Sequence, residues 1–180
     1  MTQALITDLD EMRRLAAVRR DTFEAMRETL EFDETQPDET LDALVEAIAA
    51  PIMTAIDCTQ CGNCCRSLDV CLIPSDLAPL SQALHIPLEA VKTRYVDEAA
   101  GQAQGEWAVM PAHPCPLLRG NLCSIYEHRP HACRQYPQLT PDFRYNIDDA
   151  IEGASHCPII YNVLSALAER VSPTATPDGA

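Results

Sequence analysis

Leu9, Met12, Ala16, Phe23, Met26 and Leu30 recur at the three-and-four spacing of a helix stripe, interrupted at Arg19 where an apolar residue is due. A second stretch, carrying Leu41, Leu44, Val45 and Ile48, begins after Pro37-Asp38 and is expected to stop or kink at Pro51. An acidic link, 31–40, joins the two. The pattern predicts an antiparallel helical hairpin, with self-association of the first stripe as the alternative. Neither arrangement carries chemistry.

Beyond residue 56 the elements shorten. Pro74-Ser75-Asp76 reads as the entry to a helix over 76–84. His85-Ile86-Pro87 turns the chain into another over 88–97. Residues 101–105 read as a loop, and short extended pieces are expected at 107–110, 122–126 and 143–147. A final helix is expected over 158–171 with Pro158 in its first turn, followed by a small-residue tail, 172–180, without fixed structure. The expected fold class is mainly α and irregular. Short helices surround a cysteine-rich metal-binding core with minor extended segments, beside an N-terminal helical hairpin. The organisation reads as an N-terminal helical region over 1–56, a cysteine-cluster domain over 57–171, and the tail.

Charge narrows the partners. Thirteen Lys and Arg against 27 Asp and Glu leave a net charge of −14. No basic stripe is present for phosphates, so nucleic acid and anionic membrane surfaces are disfavoured. The acidic N-terminus lacks the basic start and apolar stretch of a signal peptide, and the longest apolar run, 47–56, is too short to span a bilayer. The expected compartment is the reducing cytoplasm. Nine cysteines there read as metal-binding or redox-active before they read as disulfides.

Four of them, Cys58, Cys61, Cys64 and Cys65, fall within eight residues. Two cysteines separated by two residues can turn both sulfurs toward one metal, and the spacing occurs twice in succession, 58/61 and 61/64. Gly62 supplies the backbone freedom of such a knuckle. Adjacent side chains diverge, so Cys64 and Cys65 are not expected to be equal ligands of one ion. Downstream come Cys115, Cys123, Cys133 and Cys157, in proline-rich surroundings. Cys71 sits in an apolar stretch and reads as a small core side chain. Setting it aside leaves eight thiols, enough for two four-thiolate sites or one larger cluster.

The run CTQCGNCC, followed by CPLLRGNLCSIYEHRPHACRQYP and a late Cys157-Pro158, resembles the CxxCxxCC domain, the YkgJ-like cysteine cluster proteins described as zinc- or iron-chelating. The resemblance spans about 58–158 and implicates Cys58, Cys61, Cys64, Cys65, Cys115, Cys123, Cys133 and Cys157. It also draws attention to Tyr126, Glu127, Arg129, Pro130, Arg134, Tyr136 and Pro137. Arg66, Arg129 and Arg134 are expected to offset the charge of a thiolate site, with Glu127 holding one of them; plain structural roles are the competing reading. His113, His131 and His156 stand near cysteines but are not expected to ligate, given eight thiols.

An all-sulfur donor set selects zinc, iron–sulfur or copper(I). Paired short spacing supports Zn2+; the three-cysteine run with two-residue gaps, and cysteines followed by proline, support iron or an iron–sulfur cluster. Two function classes follow. One is a cytosolic metal-binding protein with a redox or metal-handling role. The other is an interaction module with a purely structural zinc, meeting a protein partner through its N-terminal helices. No nucleophile elbow, phosphate-binding glycine loop or recognisable Cys–His pair supports a hydrolase or transferase.

Overall fold

The computed structural model describes residues 4–33, 35–110 and 113–171. In chain order the helices begin with α1 (Leu9–Val18), α2 (Arg20–Glu31), α3 (Asp38–Ala55), α4 (Cys58–Cys61) and α5 (Cys64–Ser67). Strand β1 (Cys71–Leu72) precedes α6 (Leu77–Leu84), α7 (Leu88–Tyr95) and α8 (Glu98–Ala103). Strands β2 (Ala108–Val109), β3 (Leu118–Arg119) and β4 (Leu122–Cys123) follow, then α9 (His131–Gln135), α10 (Phe143–Gly153) and α11 (Pro158–Val171). The fold is mainly α and irregular, with two antiparallel two-stranded sheets among the described residues. The expected tail, 172–180, lies outside them. Two compact units emerge: Met1–Ile56 with Pro137–Ala180, and Asp57–Tyr136.

The first unit is a helical bundle. Its first stripe is realised as two helices that break at Arg19, the position where the apolar spacing fails. Asp8 starts α1 by accepting hydrogen bonds from the Asp10 and Glu11 N–H groups. Helices α2 and α3 both pack on α10 and α11, two partners that a hairpin read from 9–56 does not include. Helix α11 is buried on nearly every side, from Pro158 to Ala168, which makes it the central element. Phe23, Leu30, Leu41, Val45, Phe143, Leu164 and Leu167 fill the interior. Helix α3 runs on through Pro51 rather than ending there.

Residues 143–147, expected to be extended, are the first turns of α10. The buried positions Phe143, Ile147, Ala150 and Ile151 trace a helical face that a five-residue window cannot separate from alternation. The Asp42 carboxylate fixes the start by accepting from the backbone N–H groups of Asp142 (2.8 Å) and Phe143 (2.9 Å). The expected loop at 101–105 is largely helix α8, whose Gly101 lies so close to the Ala108 backbone that any side chain would collide with it.

The second unit is built of short pieces around a small core of Val70, Leu72, Leu77, Leu80, Val91, Ala108, Met110, Leu117 and Ile125. Strands β1 and β2 pair with Cys71 opposite Val109 and Leu72 opposite Ala108. Strands β3 and β4 form a hairpin whose two-residue turn starts at Gly120 with φ 60°. Elements this short contribute few backbone hydrogen bonds. Side chains clamping backbone groups hold the unit together instead.

Candidate metal centre

The run 58–65 folds as two single helical turns, α4 and α5, joined at Gly62. Asp57 caps α4 by accepting from Thr59 N–H at 2.9 Å. Gly62 adopts a left-handed conformation, φ 61°, and a Cβ there would come within 2.9 Å of the Asn121 carbonyl oxygen. The glycine is therefore required by conformation and by space. Asn121 donates from Nδ2 to the Gln60 carbonyl at 2.7 Å, which ties α4 to the β3–β4 turn. Arg66 donates to the carbonyls of Cys61 (2.9 Å) and Gly120 (2.8 Å) and braces the same junction.

Four thiols of this unit gather at its core. Cys65, Cys115, Cys123 and Cys133 all lie on or in the unit's core. The Cys115 N–H donates to the Cys65 carbonyl at 2.7 Å, and Cys123 lies opposite Leu118 in the hairpin. Cys133 feels the charge of Cys65, Cys115 and Cys123, Cys115 that of Cys65 and Cys123, and Cys123 that of Cys65. Cys58, on the exposed side of α4, is coupled to Cys61. Cys64 and Cys65 place their sulfurs 4.0 Å apart. Sulfurs sharing a tetrahedral ion at the usual bond length stand about 3.8 Å apart, so adjacency does not force this pair to diverge. The divergence expected of adjacent side chains is therefore corrected.

Burial and mutual repulsion hold these groups as neutral thiols in the metal-free chain. The Cys65 thiol is pushed up by its hydrogen bond with Cys64, then by burial. Burial, reinforced by Cys65, Cys115 and Cys123, raises Cys133 from 9.0 to about 12. Burial also raises Cys58, Cys115 and Cys123. Arg129 opposes the rise at Cys58, Cys65, Cys123 and Cys133.

Arg129 is the cation that acts on most of these sulfurs, and Arg66 also opposes the rise at Cys65. Its guanidinium stacks over the Tyr126 ring, 3.6 Å from the centroid. Its Nε–H is buried without a hydrogen-bond partner, and no carboxylate pairs with it among the described residues. Arg134 acts one step removed, donating from Nη1 to the Arg129 carbonyl. Glu127 is exposed and holds none of the three arginines.

Cys133 owes its place to a residue whose role the sequence does not advertise. Asp76 is 3% exposed and accepts from Ile73 N–H (3.0 Å) and from His131 N–H (2.8 Å), the first residue of α9. A buried carboxylate satisfied by two backbone donors thus anchors the turn that carries Cys133. Its position before a helix suggested a cap, but the second donor lies 55 residues away.

The remaining candidates lie elsewhere. Cys71 is half-buried on β1, where Leu72 takes the core position; its charged neighbours are Glu106 and Asp69, with no cysteine among them. Its expected core role is corrected, since it is only half-buried. His113 pairs with Asp69, which also accepts from Gln104. Cys157 is buried in the first unit at the entry to α11, where its carbonyl accepts from Tyr161 N–H.

The donor chemistry fits a thiolate-bound metal: soft sulfur ligands converge beside a cation whose buried N–H lacks an acceptor. Among the described residues no three Cys, His, Asp or Glu side chains already stand in ligating positions, so a bound metal would require the sulfurs to move inward. No helix among the described residues is long and apolar enough to cross a membrane. No curated protein and no solved structure matches the chain. A family model does: CxxCxxCC, described as a "putative zinc- or iron-chelating domain", matches residues 57–158. That match spans more than half of the 180 residues, from the Asp57 cap to Pro158, and the chain belongs to the CxxCxxCC family.

Proposed function

We propose that the protein holds zinc or an iron–sulfur cluster through clustered cysteine thiolates and serves a redox or metal-handling role in the cytosol. The ligands come from Cys58, Cys61, Cys64, Cys65, Cys115, Cys123 and Cys133. The family resemblance also implicates Cys157. The observation that carries this reading is the convergence of Cys65, Cys115, Cys123 and Cys133 from four chain segments, beside Arg129. A bound metal would displace protons from the raised thiols, and a thiolate could then accept from the buried Arg129 N–H. Arg66 and Arg134 support that arrangement through the backbone they bind.

A second reading, a structural zinc in an interaction module, is favoured by the placement of those same four thiols in or against the apolar core, with Cys115 buried and the other three half-buried, since structural sites are closed. Metal analysis and absorption spectra of aerobic and anaerobic preparations separate the two. Iron with sulfide and broad charge-transfer absorption supports the redox reading. A colourless protein with tightly held zinc supports the structural one. A chain that takes up neither metal refutes both.

A further inference from the structure

Resting on that reading, we infer that the thiols of 57–136 form two sites of unequal closure. One is a resident four-thiolate site from Cys65, Cys115, Cys123 and Cys133; the other is an outer metal-exchange site built on the Cys58–Cys61 turn.

The inner four come from α5, the segment before β3, β4 and α9, and all pack against one apolar cluster. Their backbones are fixed before any metal arrives. Cys65 and Cys115 are joined by a 2.7 Å hydrogen bond, Cys123 is paired in the hairpin, and α9 is anchored on Asp76. A metal drawing these sulfurs together closes loops of up to 68 residues in an apolar setting. Release then requires opening several segments together.

The outer pair is different in kind. Cys58 and Cys61 lie one helical turn apart on a four-residue helix, and Cys58 is exposed. The turn is rigid, because Asp57, Asn121 and Arg66 each bind its backbone. Neither packs on the apolar cluster, Cys61 being half-buried, and two thiolates on a rigid turn outside the core leave coordination positions open, the condition for taking up and handing on an ion. Cys64, its sulfur 4.0 Å from that of Cys65, stands between the two sets. Arg129 acts on members of both.

The test loads the reduced full chain with Zn2+ and follows release to a chromogenic chelator. Wild type is expected to release zinc in two phases, separated by about tenfold or more in rate, as open and closed sites differ. Cys58→Ser/Cys61→Ser should lose the fast phase and keep the slow one. Cys115→Ser/Cys133→Ser should lose the slow phase. If that second variant fails to fold, alkylation of loaded wild type decides alone: Cys58 and Cys61 should be modified first, with the inner four protected. A single release phase, or equal alkylation of all six, overturns the partition while leaving metal binding intact. A wild-type chain that binds no zinc overturns the underlying reading instead.

Discussion

The two compact units solve the same problem with different materials. The Met1–Ile56 and Pro137–Ala180 unit buries Phe23, Leu41, Phe143, Leu164 and Leu167 between long helices, and packing suffices. The Asp57–Tyr136 unit has helices of four to eight residues, a small core, and its thiols placed where apolar side chains would otherwise meet. Where packing is ample, cysteine is nearly absent; where packing is thin, sulfur and side-chain clamps replace it. The second unit is therefore the one whose stability should follow metal.

Metal removal should break the symmetry between them most. Structural zinc contributes on the order of 10 kcal/mol in small zinc domains. Stripping a loaded chain with a strong chelator should abolish amide-exchange protection within 57–136 and leave α3 and α11 protected. Equal loss in both units would show that the metal stabilises the whole chain alike.

The converse perturbation is Phe23→Ala. Phe23 is 1% exposed and meets Tyr161 edge-on, with ring centroids 6.3 Å apart. Truncation should cost about 3–5 kcal/mol, read from denaturant unfolding, with the metal content per chain unchanged. Metal lost in proportion to stability would contradict independence of the units.

The long-helix unit was largely legible because its apolar periodicity persists over many residues. The Arg19 break and the 158–171 helix follow directly from it. Helix α10 was not legible: its first five residues alternate like a strand, and the Asp42 clamp that selects helix is a contact across 100 residues. In the cysteine unit, thiol density marked the segment, but geometry required coordinates. The approach of Cys64 to Cys65, the isolation of Glu127 and the anchoring of α9 all depend on backbone turns that spacing does not encode.

Asp76 tests the clamp side of the comparison. Asp76→Ala removes the acceptor of two backbone N–H groups, and each buried donor left unpaired costs about 1–3 kcal/mol. The loss should be confined to 57–136 and accompanied by weaker metal retention, since α9 carries Cys133 while no thiol has been altered. Asp76→Asn, which keeps an acceptor oxygen, should recover part of it. Unchanged metal retention in Asp76→Ala would separate the placement of α9 from the metal site.

The smallest expected effect is a slope against pH, and its sign opposes intuition about metal proteins. In the metal-free chain the Cys133 thiol is raised from 9.0 to about 12, chiefly by burial. A folded-state value above the unfolded one means the neutral thiol's contribution is complete below about pH 9 and is lost as pH climbs toward 12. Trp107, the single tryptophan, lies in this unit and reports its unfolding. The denaturation midpoint of the metal-free protein should fall as pH rises from about 9 toward about 12, and the fall should flatten in Cys133→Ser. In the loaded protein the sign reverses over the lower range, because binding displaces protons from these same sulfurs and retention improves as pH rises. Opposite slopes in the two forms would tie the buried thiols to the metal. Parallel slopes would mean that the group titrating in the metal-free unit is not one the metal displaces.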